Sequence, residues 1–264
     1  MNSLLSYIKM AAAYVRLNLC AHLEYRQAFI SQVVAMFINN CFWLAFWDVF
    51  FDRFPVLRGW TVQDVFTLWA IAAGGFGLAH AVCGNAWYMP GLIARGELDG
   101  WLLYPRRLLS HFVLGKQVVT AWGDAAFGVV AYVILVRPDL AHLIMFLILT
   151  ISVALLFVAF SIITGSLSFF LGNAEGLAEQ WRFALITFAT YPSTLFDGPI
   201  RFLLFTVVPA AFISYLPIEA LRTLSYAQVG ITFLSALGFM LLAVLIFYSG
   251  LKRYESGSLM EMRG

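Results

Sequence analysis

An all-α membrane protein with six transmembrane helices, organised as one domain over 1–264, is predicted by three features of the chain. Only 11% of its residues are charged against 62% hydrophobic, and the mean hydropathy is +0.87. A soluble domain carries about 25% charged residues, because it must cover its surface with polar groups. The chain also contains long charge-free runs, and its Lys and Arg fall unevenly on the loops between them. A helix needs about 20 mostly apolar residues to cross the hydrocarbon, and the runs 27–47, 65–94, 140–174 and 223–251 each meet that length.

The elements follow in chain order. The opening stretch, MNSLLSYIKMAAAYVRLNLCAHLEYR, breaks its apolar content at Lys9, Arg16 and Glu24, unlike a cleavable signal peptide. On a helix, Leu4, Ile8, Ala12, Val15 and Leu19 share one side while Lys9 and Arg16 share another, which predicts an interfacial helix over 1–26. The first two spans come next, then a charged stretch within 86–108. A third span over 117–136 is broken only by Asp124, and a fourth follows over 140–174. The runs 183–196 and 202–218, separated by DGPIR, are short for full crossings, and the last span is 223–251.

Charge settles the parity. With the N-terminus in the cytoplasm, one crossing at 181–197 and a dip at 199–218, only Arg53, Arg58, Arg137, Arg201 and Arg222 face outside, and the remaining eleven Lys and Arg lie inside. A seventh crossing would move Lys252, Arg253 and Arg263 outside and leave the two sides even. The positive-inside rule therefore favours six spans with both termini cytoplasmic. Prolines at 192, 199, 209 and 217 mark 191–217 as broken helix, since proline removes a backbone donor. Irregular backbone at membrane depth must be covered by protein or line a water cavity. The expectation is a re-entrant, hairpin-like insertion near the outer leaflet, carried by Pro192, Pro199, Pro209 and Pro217.

Other classes are excluded. A net charge of +2 is too small for a polyanion-binding surface, so nucleic acid is not a partner. Cys20, Cys41 and Cys83 lie far apart and match no metal-ligand spacing, so no metal site is expected. AWGD at 121–124 has Ala121 where a G-x-G-D protease motif needs glycine, and TGSLS at 164–168 lacks a G-x-S-G form. Asp124 is costly at that depth, by at least about 2.5 kcal/mol on insertion scales, and such residues are candidates for function. It either lines a polar route or makes an interhelical hydrogen bond, with Asn85 or His80 as candidate partners and Gly123 and Gly128 allowing close approach. His80 reads as a packing residue. Trp43 and Trp122 are the deeper tryptophans and candidates for an aromatic cavity wall.

The stretch ARGELDGWLLYPRRL (94–108) sets three arginines, a glutamate and an aspartate among the apolar runs. Leu92, Ile93, Leu98, Leu102 and Leu103 are expected to form an apolar side with Trp101 and Tyr104, leaving Arg95, Glu97 and Asp99 facing out. Composition alone leaves two readings open: a docking helix that transmits force from a soluble partner, or a loop that only fixes topology.

GELDGWLLYPRRLL resembles the GELD-x-x-LL-x-P stretch in membrane subunits of ABC-2-type transporters, specifically a bacterial subfamily of six-span permeases. YPSTLF, VVPAAFISYLP and GLKRYESGS (250–258) resemble further parts of the same subfamily, in the same order. The resemblance covers essentially the whole chain. It implies that the loop between the second and third spans holds a coupling helix that docks on a cytoplasmic ABC ATPase, with Glu97, Leu98, Asp99, Leu102, Leu103 and Pro105 at the docking site. Arg95, Arg106 and Arg107 join that set on chemistry, because arginine pairs bidentately with carboxylates. The proline-marked region would match the family's extracellular re-entrant helices.

No G-x-x-x-x-G-K-[ST] phosphate loop occurs in the sequence. The expectation is a non-enzymatic permease subunit of the bacterial inner membrane with no cofactor of its own. ATP and Mg would bind the partner ATPase, and a second permease copy or a sister permease would complete the assembly. The cargo would be amphipathic or hydrophobic. The alternative is an ion-coupled secondary transporter, which would usually show internal repeats; none is visible between the halves.

Overall fold

The computed structural model describes residues 4–104 and 107–254, and every element in them is helical apart from a single bridge between Leu57 and Trp60. Among the described residues, four helices are long and apolar enough to cross a membrane: α2 (Arg26–Arg53), α3 (Val62–Cys83), α8 (Leu140–Gly165, continued by α9, Ser168–Leu171) and α14 (Tyr226–Leu251). They coincide with the four long charge-free runs. The fifth run forms a shorter rod, α7 (Ala121–Ala131), finished by a π-helical turn over Tyr132–Val136. The sixth candidate is α10 (Glu175–Ala189), which starts before and ends before the expected 181–197 crossing. Four helices thus reach full crossing length where six were expected.

The 65–94 run is not one straight helix. At Gly84 the chain breaks into α4 (Asn85–Ala94). A side chain at Gly84 would meet the His80 carbonyl and the backbone of Lys116 and Val118, and the Val118 N–H donates to that same carbonyl at 3.1 Å. This tertiary contact sets the bend, and residue periodicity does not encode it.

α8 is the hub, touching α3, α4, α10 and α14 and burying Phe146, Leu149, Val153 and Leu156 completely. The closest pairing is between α3 and α7. A Cβ at Gly77 would fall 2.2 Å from the Ala125 backbone, and one at Gly128 would fall 2.5 Å from the Gly74 Cα, so these backbones meet without intervening side chains. By contrast α2 buries only Asn40, Leu44, Trp47 and Phe51, and leaves Ile30, Val34, Ile38, Phe42 and Phe46 exposed. In a bilayer that apolar face costs nothing to expose to lipid.

α1 (Leu4–Glu24) lies against α6 (Leu108–Leu114) and the segment after it: Tyr14 Oη is 2.9 Å from His111 Nδ1, and Gln117 Nε2 donates to the Val15 carbonyl at 3.3 Å. Its expected apolar side is divided. Val15 and Leu19 are half-buried, whereas Ile8 and Ala12 are exposed along with Lys9 and Arg16. Met10, Ala11 and Tyr14 make the contact with the rest of the protein, and this frees the Ile8–Ala12 side for lipid.

The proline-marked region is a chain of short helices: a 3-10 turn (Ser193–Leu195), α11 (Pro199–Thr206), α12 (Ala210–Ile213) and α13 (Tyr215–Thr223). Pro192 precedes the turn, Pro199 opens α11, Pro209 caps α12 and Pro217 lies in the first turn of α13, all positions where a missing N–H does little harm. Ion pairs fasten this region to the start of α3. Arg222 reaches both carboxylate oxygens of Asp64, at 2.7 and 2.6 Å, donates to the Gly59 carbonyl and lies over Trp60. Arg58 pairs with Asp197 at 2.7 Å.

Candidate functional site

Two places bear on function: the charged stretch at one end of the bundle, and a cavity beside it within the helices. α4 connects them. Its first turn carries Trp87 and Tyr88 on the cavity wall, and Arg95 caps its far end. Beyond Arg95 the chain turns at Gly96, whose φ of +72° suits glycine, and forms a single helical turn, α5 (Asp99–Leu102).

The expected apolar side of the charged stretch is split. Ile93 and Leu98 are buried, and Trp101 packs edge-on against Phe112. Leu102 and Leu103 point away from the protein, 48% and 86% exposed, with Tyr104 beside them. The turn at Gly96 takes α5 out of phase with α4, so the two leucines do not continue the Leu92–Ile93 face. Arg95 and Glu97 are exposed and paired with each other, and the guanidinium also reaches Glu175 at 4.0 Å. The Glu97 hydrogen bond holds the Arg95 guanidinium charged more firmly than usual. Asp99, expected to face out, is half-buried beside Tyr254. Burial, and then the Asp99 carboxylate, push the Tyr254 phenol up to about 12. Arg107 is exposed, while Pro105 and Arg106 lie outside the described residues.

The cavity holds about 540 Å³, within the range of about 300–1,000 Å³ typical of organic-ligand pockets. Its walls come from α2, α3, α4, α7, α8 and α10. Trp43 and Trp69 stack with centroids 5.5 Å apart, and a run of edge contacts links Phe157, Phe76, Trp87 and Phe183. Trp43 therefore lines a cavity as its depth suggested, whereas Trp122 does not. His80 is buried between Phe76 and Trp87, and its Nδ1 donates to the Phe76 carbonyl at 2.9 Å. Asp124 also lines the space. Its partner is neither Asn85, which donates to the Phe112 carbonyl, nor His80, but Asn40 of α2, whose Nδ2 donates to Oδ1 at 2.6 Å. Gly123 makes this pairing possible: its Cα faces the Val33 carbonyl of α2, which a side chain there would strike. A sequence read one span at a time carries no signal for that partner, because Asn40 and Asp124 lie 84 positions apart.

Among the described residues no group of acids, histidines and cysteines could hold a metal ion. The model of the family described as "ABC-2 family transporter protein" matches residues 36–258, which takes in every wall of the cavity and the whole charged stretch. The chain belongs to the ABC-2 transporter family. It is a multi-pass membrane protein and an ABC-transporter permease, a family whose members associate with an ABC ATPase. No curated protein and no solved structure matches it significantly.

Proposed function

We propose that this permease forms the translocation pathway of an ATP-driven exporter of amphipathic or hydrophobic cargo in a bacterial inner membrane. It crosses six times with both termini in the cytoplasm. α7 and α10 complete the four long spans, and 191–217 re-enters from outside. A separate ATPase chain docks on the 94–108 stretch, binds ATP and Mg, and supplies the energy. Two permeases, identical or sister chains, complete the assembly.

One observation carries the reading. Leu102, Leu103 and Tyr104 are uncovered beside Arg95 and Glu97, at the end of a helix whose other end lines the cavity. Leucines this exposed among charges are not core residues, and a protein partner that covers them is the reading supported here. Displacement of this surface reaches the cavity by two short routes. One is along α4 to Trp87 and Tyr88, where Met89 is locked against Gly165 of α8. The other runs across the Arg95–Glu175 contact into α10, which carries Phe183, Ile186 and Thr187 on the wall. Gly91 leaves room for that contact, since a Cβ there would lie 2.8 Å from the Glu175 carboxylate.

Glu97→Lys tests the docking role. Glu97 is exposed, so the permease should lose little stability of its own. Removing one partner of a desolvated charge pair at an interface costs about 2–5 kcal/mol. The expected result is loss of ATPase pull-down and of ATP-driven export, with normal expression and melting temperature. Normal assembly and export would reduce the stretch to a topology-setting loop.

A further inference from the structure

We infer that the cavity selects lipophilic cations, with Asp124 as the charge that recognises them and the tryptophan-rich wall as the surface that holds their apolar body. This deepens the export reading above and rests on it for its physiological meaning, but the site itself is argued from the cavity alone.

Asp124 is 2% exposed, and only one of its carboxylate oxygens has a partner: Oδ1 accepts from Asn40, while Oδ2 accepts no hydrogen bond. A purely structural carboxylate between α2 and α7 would be expected to use both oxygens, because a buried acceptor without a donor is costly. Here the acid lines a cavity with Oδ2 buried in its wall, so a ligand becomes the missing partner by pressing against that wall. No described cation pairs with it. The cation nearest the wall is Arg182, whose guanidinium lies 4.4 Å over Trp87 and makes no hydrogen bond through Nε or Nη1. It stands behind that ring rather than on the cavity lining. His80 already spends its Nδ1 proton on the Phe76 carbonyl and leaves no second donor when neutral. Arg182 does not itself line the cavity, so the acid that faces the space is Asp124, with no described cation paired to it.

The wall agrees with that sign. Faces of tryptophan and phenylalanine attract cations through the ring quadrupole, most strongly when water is excluded. Trp43, Trp69 and Phe76 surround the same space as Asp124, while one face of Trp87 is already taken by Arg182. An anion would meet the electron-rich ring faces and an uncompensated carboxylate. A neutral apolar molecule would fit the wall but would leave Oδ2 without a partner.

The full chain in nanodiscs, without ATPase or nucleotide, decides the matter by tryptophan fluorescence. The probes are tetraphenylphosphonium and tetraphenylborate, ions of matched shape and opposite charge. Saturable quenching by tetraphenylphosphonium is expected in the wild type, with no saturable component from tetraphenylborate. Asp124→Asn should weaken the cation at least tenfold, equivalent to about 1.4 kcal/mol, and Thr187→Trp, which fills the cavity from α10, should abolish binding. Equal saturation by the two ions, a tighter fit for tetraphenylborate, or no saturable site would overturn the inference. The wild-type comparison stands even where Asp124→Asn disturbs folding through loss of the Asn40 contact. Because no ATPase is present, failure of this site leaves the docking result unaffected, and failure of docking leaves this site intact.

Discussion

Where α2 gives way to α3, Arg222 donates to both carboxylate oxygens of Asp64 and lies over Trp60, which is only 2% exposed, and Arg58 ties the same end to Asp197. At the other end, past α4, Arg95 and Glu97 pair in the open and Leu103 is 86% exposed. Both ends carry mixed charge next to aromatic and aliphatic side chains. One end uses its charges to cover apolar surface, whereas the other leaves apolar surface bare. Charge content alone therefore does not distinguish the two ends; uncovered apolar groups among the charges do.

The largest effect separating the two ends should come from Leu102→Asp combined with Leu103→Asp. Both side chains are exposed, so the melting temperature of the permease alone should hold, consistent with surface changes within about ±0.5 kcal/mol. If the leucines are interface anchors, whose truncation costs about 2 kcal/mol or more, ATPase pull-down should fall by at least about thirtyfold. A variant that melts early would mean that the leucines pack within the chain, and the contrast between the ends would fail.

Smaller and opposite in kind is the effect expected at the clamped end. Arg222→Ala removes hydrogen bonds to a largely buried carboxylate, a class worth about 1.5–3 kcal/mol each before the partial exposure of Arg222 is discounted. Melting temperature should drop while ATPase pull-down is unchanged. Arg58→Ala, at a pair where both side chains are more than half exposed, should cost no more than about 1 kcal/mol. If Arg222→Ala weakened docking as much as the leucine changes, the two ends would not be independent.

The legible and illegible parts of the sequence divide along the same line. The charge-free runs locate α2, α8 and α14 nearly to their ends, because lipid demands long apolar helices and little else. Prolines 192, 199, 209 and 217 mark the broken helices correctly, since the missing N–H is a local matter. The bend at Gly84 escapes such reading, because its cause is the distant backbone of Lys116 and Val118. So does the Asn40–Asp124 pair. Leu102 and Leu103 depart from the expected apolar side for another reason: the turn at Gly96 takes α5 out of phase with α4. Most of the cavity is also hidden, since Trp69, Trp87, Phe183 and Thr187 converge from three helices with no shared spacing.

The most direct test of the account is a photo-crosslinker, Leu103→p-benzoylphenylalanine, irradiated in the assembled transporter with Phe54→p-benzoylphenylalanine as the control from the clamped end. Phe54 is also exposed, so the two probes differ in location rather than in access. The account predicts a covalent adduct between position 103 and the ATPase chain, and none from position 54. Adducts from position 103 only to lipid or to the second permease, or ATPase adducts from position 54, would contradict it.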